Sequence, residues 1–331
     1  MEYRSLGSTG LRVSALSIGG TTFAGENSHE AAERILERAA GAGITYIDTA
    51  PAYGASERVV GQALESIGGG RFIISTKLGS RPRPFDPRDK DALRRSLEQS
   101  LENLKRDCID ILYIHEPDRP GQYDWFPDWD HFHGPVTDLL EEARSEGLIR
   151  CTGLAGTTVY TMARIVAAGG YDVLLTAFNS SLLWQESFTY LIPAAVERGM
   201  GVVLGSPLQH GALARCYTGE VEQGAPWLSP PRRAQFSRLY ELVWELGIPV
   251  AEMALRYVLH RPGVSAVLTG VRNEEELLLN LAAGEKDPLP ADVVRRVERI
   301  AAMVPFRPYE EPYKLPFGTA YRGPGHIGSL S

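Results

Sequence analysis

The chain has 331 residues, 44% hydrophobic and 23% charged, with a formal net charge of −7. Its 34 glycines and 22 prolines fall short of a low-complexity or collagen-like composition, and the length provides for a large core. An acidic chain without a dense Lys/Arg block is not built to follow a phosphate backbone, and no run of about 18 apolar residues is present to span a membrane.

In chain order, the N-terminus MEYRSLGSTG is charged and has no apolar centre, which argues against a secretory signal. Two β-like runs, 2–6 and 11–14, joined by GSTG, read as a hairpin closing the bottom of the fold. From there short β-branched runs alternate with longer segments of helical spacing. Strands are predicted at 15–18, 45–47, 72–75, 109–114, 150–153, 173–176, 201–204 and 265–268. Helices are predicted at 29–40, 57–67, 91–105, 136–146, 158–167, 188–197 and 232–246, then at 274–281 and 292–303. The strands are apolar throughout rather than alternating, as in a parallel sheet covered on both faces. Eight strand–helix units predict an α/β fold: one (β/α)₈ TIM barrel over residues 1–331, in preference to a doubly wound open sheet.

Two pieces fall outside that count. A long aromatic-rich loop, 117–135, follows the fourth barrel strand, and a Pro- and Tyr-rich tail, 305–331, is expected near the barrel mouth. The basic pairs Arg232-Arg233 and Arg295-Arg296 lie in helical stretches flanked by acids and read as solvated surface. The cysteines, Cys108, Cys151 and Cys216, are few, odd in number and widely spaced. They read as buried apolar fillers of a cytoplasmic protein.

Barrels of this type carry their chemistry where the strands end. Asp48, Lys77 and His115 stand at the ends of the second, third and fourth barrel strands, and Tyr53 comes after Asp48 in DTAPAYGASE. Singly, each has a structural explanation: a turn cap, a snorkelling lysine, a core imidazole, a packed ring. Adjacent parallel strands lie about 4.8 Å apart, however, so the four converge on one side of the mouth. A free phenol titrates near ~10, and a nearby ammonium favours its ionised form. Burying Lys77 requires a counter-ion, which Asp48 supplies. The set reads as a tyrosine acid/base tuned by lysine, with His115 orienting a substrate oxygen.

With these residues in place, the sequence resembles the aldo-keto reductases. The resemblance rests on DTAPAYGASE (48–57), STKLG (75–79), DILYIHEPD (110–118), GSPLQHGAL (205–213) and LTGVRNEEELLLN (268–280). It implies a (β/α)₈ barrel, a catalytic tetrad of Asp48, Tyr53, Lys77 and His115, and NADP(H) or NAD(H) as cofactor. It further implies that Ser206 and Leu208 contact the pyrophosphate, with Gly211 permitting the turn. Gly270, Arg272, Glu276 and Asn280 would lie at the adenosine, and Gly20, Thr21, Thr22 and Asn179 about the nicotinamide. The chain departs from the family where Ala155-Gly156 replaces a frequent Ser-Asn pair. It departs again where Leu175 and Thr176 stand in place of the usual Gln. These variants, with the RPRPFDP stretch, resemble the branch of D-threo-aldose (L-fucose) and L-galactose dehydrogenases.

For the substrate, a small carbonyl or alcohol, the aromatic loop 122–133 is expected to form a wall, with Phe23, Trp125 and Trp129 in contact. Glu116, Asp118, Asp124, Asp128 and Asp130 would accept hydrogen bonds from a polyol-like substrate. Glu276, one turn before Asn280, is expected to repel a 2′-phosphate and admit NAD(H), with NADP(H) still served by Arg272. Two other classes compete: a non-catalytic nicotinamide-binding regulator, and a metal-dependent hydrolase using His131 and His133, or His115 and Glu116 with Asp118.

Overall fold

The eight apolar runs pair in parallel in chain order and close on themselves. They are β3 (Leu16–Gly19), β4 (Tyr46–Asp48), β5 (Ile73–Leu78), β6 (Ile109–His115), β7 (Ile149–Gly156), β8 (Val173–Ala177), β9 (Gly201–Gly205) and β10 (Ala266–Thr269). They are preceded by β1 (Tyr3–Ser5) and β2 (Arg12–Ser14), which pair antiparallel. The ring shuts where β10 hydrogen-bonds to both β9 and β3. This computed structural model describes residues 1–25, 29–80, 85–307, 311–312 and 314–319. Part of the RPRPFDP stretch and the end of the tail lie outside the described residues.

Around the barrel run α1 (His29–Gly41), α2 (Ser56–Ser66), α3 (Lys90–Leu104), α4 (Pro135–Ser145), α5 (Val159–Ala168) and α6 (Glu186–Thr189). They are followed by α7 (Leu191–Glu197), α8 (Thr218–Gln223), α9 (Pro230–Leu246), α10 (Val250–Leu259), α11 (Glu274–Gly284) and α12 (Ala291–Ala301). Local chemistry starts several of them. Asp89 accepts the Asp91 and Ala92 N–H groups ahead of α3, Ser229 caps α9 before Pro230, and Asn273 caps α11. None of the helices among the described residues is long and apolar enough to cross a membrane.

The core has two layers. The outer one fills the space between sheet and helices, and the inner one lies within the barrel. Leu6, Leu11 and Val13 of the hairpin join that inner layer with Ile111, Cys151, Val203 and Ala266, so the hairpin is the barrel's floor. A cavity of about 250 Å³ between Met1, Leu16, Leu259 and Gly284 also lies at this end, away from the strand C-termini.

Two expectations need correction, and one element was not anticipated. Residues 250–259 form a helix. Val250, Met253, Ala254, Tyr257 and Val258 are buried at helical spacing, and Pro249 provides its N-cap. Arg232 is not solvated: it is fully buried, stacked 4.4 Å from the Trp184 ring centre and paired at 2.6 Å with Glu311. A charge read as surface is instead neutralised by the tail, whose Phe317 stacks on Tyr217. Of the cysteines, all free thiols, only Cys151 is buried; Cys108 and Cys216 are half-exposed.

Candidate active site

Parallel pairing brings Asp48 of β4 level with Ser75 of β5, and Lys77 of β5 level with Tyr113 of β6. Residues two apart on a strand share a face, so Asp48, Lys77 and His115 all rise from the inner layer at the C-terminal rim. The Lys77 ammonium donates to Asp48 Oδ2 at 2.7 Å and to the Thr49 carbonyl at 2.7 Å. Both side chains are almost wholly removed from water, at 1% and 5% exposure. The remaining carboxylate oxygen, Asp48 Oδ1, accepts from Ser75 at 2.7 Å.

Tyr53 arrives from the loop between β4 and α2 and lies half-buried over this pair. Its ring centre is 4.7 Å from Lys77 Nζ, and 6.0 Å from the His115 ring in an edge-on arrangement. Burial raises the Tyr53 phenol above its ordinary value; Lys77 opposes this and Asp48 adds to it. Lysine tuning is therefore present but does not win outright in the ligand-free site. Burial likewise disfavours the Lys77 ammonium, yet Asp48 and Tyr53 outweigh it and the group titrates above the usual lysine range. His115 is held well below the ordinary imidazole value by burial, then by the Lys77 and Arg119 charges. It is neutral at pH 7, and its Nδ1 is buried without a partner. The four residues thus assemble into one cluster: a fixed ammonium, its carboxylate partner, a phenol and a neutral imidazole.

The loop after β6 divides into two parts. Trp125 is fully buried, and its indole N–H donates to the His115 carbonyl at 2.9 Å, so it buttresses the strand end. Tyr123 and Phe85 pack beside it at 5.6 Å each. Trp129 instead joins Phe126 and Phe132, and the Phe132 ring lies beneath Arg164 of α5. Its indole N–H meets Asp124 within the loop. Phe23, 2% exposed, ends the short 3₁₀ turn Gly20–Phe23 after β3.

Asp118 keeps one carboxylate oxygen, Oδ1, buried without a partner and commits the other to backbone. Its Oδ2 takes the N–H groups of Thr157 and Thr158 at 2.9 and 2.6 Å, fastening the start of α5. This also accounts for Gly156: an added Cβ there would meet the Met162 sulfur at 2.3 Å and Asp118 Oδ1 at 2.7 Å. Asn179 is engaged internally, accepting from Thr176 at 2.8 Å and donating to the Thr157 carbonyl at 3.2 Å. Ala155 and Leu175 belong to the apolar inner layer.

Across the mouth, the loop after β9 has Ser206, Gln209 and His210 at φ near +50° (53°, 50° and 53°). Successive N–H groups in such turns form concavities that accept anions. Ser206, Leu208 and Gly211 lie half-exposed there. Beyond β10, Gly270 abuts Thr22, whose hydroxyl is buried without a partner, and Asn280 is 7% exposed on α11. Thr21 is exposed, whereas Gly20 is buried where an added Cβ would crowd the Asp48 carbonyl oxygen at 2.9 Å. Arg272 donates to Glu276 from Nε at 2.9 Å and Nη2 at 2.5 Å, and Glu276 also accepts the Arg272 N–H at 2.9 Å. His131 and His133 point to their own acids, Asp128 at 2.7 Å and Asp138 at 3.3 Å. No group of three metal-ligating side chains comes together among the described residues.

The family model for aldo/keto reductases matches residues 15–302. The chain belongs to the aldo/keto reductase family. It is thereby an NAD(P)-dependent oxidoreductase. It is 30% identical to L-galactose dehydrogenase of Arabidopsis thaliana over 86% of this chain and 88% of that one. It is 29% identical to D-threo-aldose 1-dehydrogenase of a Pseudomonas species, over 83% and 92%. It is also 27% identical to a probable voltage-gated potassium channel subunit beta of A. thaliana, over 93% and 99%. In fold it is similar to an aldo-keto reductase of Bacillus halodurans in its holo form, with a TM-score of 0.73. That match covers 94% of this chain and all of the other, at 24% identity.

Sequence reasoning identified the rim of this site and missed the layer beneath it. Tyr46, Ser75 and Tyr113 each lie two residues before Asp48, Lys77 and His115. The two-residue period of a strand was the available signal.

Proposed function

We propose that this aldo/keto reductase interconverts an alcohol and a carbonyl on an aldose sugar or small aldehyde, with Tyr53 as general acid in reduction and general base in oxidation. The observation that carries this reading is the buried Lys77–Asp48 pair lodged against the Tyr53 ring. The nicotinamide cofactor, when bound, supplies or takes up the hydride. In the reductive direction Tyr53 gives its proton to the carbonyl oxygen, and the Lys77 ammonium, already desolvated and fixed, stabilises the phenolate left behind. Asp48 keeps Lys77 charged in a place that would otherwise neutralise it. His115, neutral, offers a ring N–H to the same oxygen without competing for the proton in transfer.

The sugar class is supported by the dehydrogenases to which the chain is similar and by Glu116, a buried acid next to His115 whose titration burial pushes upward. For the substrate wall the geometry favours Tyr123 and Phe85, half-exposed and backed by the buried Trp125, over Trp129, which packs on Phe126 and Phe132. The residues present fit the cofactor: an anion-accepting loop at Ser206–Gly211, an unpartnered Thr22 hydroxyl and a buried Asn280. Because Glu276 already occupies Arg272, we assign NAD(H) as the accepted form, with NADP(H) reached only by breaking that pair. The similarity to a channel subunit supports one rival reading, a dinucleotide-binding regulator.

The test is Tyr53→Phe, measured in both directions over aldoses and aldehydes. Turnover should fall by about 10² to 10⁴ while dinucleotide binding is retained. Near-wild-type turnover would sink the assignment of Tyr53. Absence of turnover in the wild type across the panel would favour the regulator.

A further inference from the structure

Directly beneath the tetrad lies a file of buried hydroxyls that take no part in the proton transfer from Tyr53. Ser75 Oγ is 2.7 Å from Asp48 Oδ1, Tyr46 Oη is 2.9 Å from Ser75 Oγ, and Tyr113 Oη is 3.1 Å from Tyr46 Oη. All three residues are 0% exposed. Their proton directions are fixed by elimination. A carboxylate can only accept, so the single Ser75 proton points at Asp48. Tyr46 must then donate to Ser75, and Tyr113 to Tyr46. The three dipoles align head to tail, with the positive end of each directed toward one carboxylate oxygen, the arrangement in which hydrogen bonds reinforce one another.

We propose that Ser75, Tyr46 and Tyr113 are positioning residues that disperse the Asp48 charge, so that Lys77 acts on Tyr53 rather than being cancelled by its own counter-ion. This rests on the reading of Tyr53 as the acid/base. Asp48 has two oxygens and two tasks. Oδ2 holds the ammonium, and its negative charge opposes ionisation of the nearby phenol. Every hydrogen bond delivered to Oδ1 from below draws charge away from that opposition. A barrel interior has no water to do this, and the usual filler at such a layer is a branched aliphatic. The three hydroxyls replace solvent at a carboxylate buried at the barrel's inner rim. Their burial also opposes ionisation of Tyr46 and Tyr113 themselves, so they remain donors throughout the working range.

The sign of the effect is fixed by what faces Tyr53. Lys77 from β5 favours the phenolate. Asp48 from β4 and Glu116 from the loop after β6 oppose it, and His115 from β6 is neutral. Removing a donor to Asp48 strengthens the opposition, so the Tyr53 phenol must titrate higher. Tyr46→Phe breaks the file at its centre while keeping the ring. Ser75→Ala removes the donor to Asp48 itself.

Titrate Tyr53 in the ligand-free protein by the Cζ resonance of labelled tyrosine, assigned with Tyr53→Phe, and measure the pH dependence of alcohol oxidation in the same variants. Ser75→Ala should raise the Tyr53 titration and the ascending limb of the oxidation profile together by about one unit, and Tyr46→Phe by about half. Ser75→Thr, which retains the hydroxyl, should restore wild-type behaviour. A purely structural role would lower the thermal midpoint of Ser75→Ala and Tyr46→Phe and leave both titrations superimposed on wild type, and that result overturns the proposal. Failure of the underlying reading looks different: Tyr53→Phe would keep its turnover, and the ascending limb would not follow the Tyr53 resonance in any variant.

Discussion

The two sides of the barrel mouth are built from different materials. On the β4–β6 side Asp48, Lys77 and Ser75 are strand side chains, almost wholly buried and hydrogen-bonded through Asp48, with Tyr53 laid over them from a loop. On the β9–β10 side they are loop backbone at positive φ and a surface ion pair, with Arg272 77% and Glu276 29% exposed. A desolvated strand-end cluster is costly to rearrange, because each charge left alone loses its partner in a medium that does not replace it. An exposed pair is worth little by itself and exchanges partners readily. The proposed function thus puts reaction chemistry in the part that resists change, and cofactor choice in the part that tolerates it.

The largest effects should come from breaking the rigid side. Asp48→Ala leaves Lys77 buried without a counter-ion and should reduce unfolding free energy by about 3–5 kcal/mol, read from urea denaturation. Lys77→Met should approach Tyr53→Phe in lost turnover, since the ammonium that stabilises the phenolate is gone. A Lys77→Met protein with unimpaired oxidation would detach Lys77 from the reaction.

On the flexible side the expectation concerns binding. Glu276→Arg frees Arg272 and adds a second cation one turn before Asn280, so NADP(H) should bind at least about tenfold more tightly, roughly 1.4 kcal/mol, with little change in unfolding. Equilibrium fluorescence titration of both dinucleotides checks it. An unchanged ratio would show that this side chain never meets the ribose.

A smaller effect links the rigid side to pH. The folded His115 titrates well below its unfolded value, so the unfolded chain binds more protons between the two. Stability from this group is complete above about 6.5 and is lost as pH falls toward the folded value. His115→Gln should therefore show a shallower decline in thermal midpoint on acidification than wild type. Parallel declines would mean that His115 is not desolvated as described. Smallest of all, Trp129→Ala should leave substrate KM nearly unchanged, whereas Trp125→Ala should raise it by loosening the His115 strand end. Equal effects would return Trp129 to the substrate wall.

How much was legible from the sequence varies with the range of the interaction. Parallel strands buried on both faces must be apolar throughout, so all eight announced themselves, and a charged or polar residue at the end of such a run stood out as Asp48, Lys77 and His115 did. The helix Val250–Leu259 went unread although its buried residues keep helical spacing and Pro249 marks its start. Residue type alone could not reveal that Arg232 is buried, because its neutralising partner, Glu311, is 79 positions away.

The same division separates what the amino-acid order determined by itself from what only the tertiary structure decided. Strand and helix order, the barrel and the identity of the rim residues come from local pattern, since each depends on neighbours within a turn or a pleat. Which oxygen of Asp48 faces Lys77 and which faces Ser75, whether Trp129 looks into the mouth or onto α5, and whether Glu276 repels a phosphate or holds Arg272 depend on distances between side chains. Those distances are set when strands and loops far apart in sequence close into one ring, and in a desolvated interior a shift of an ångström changes the partner.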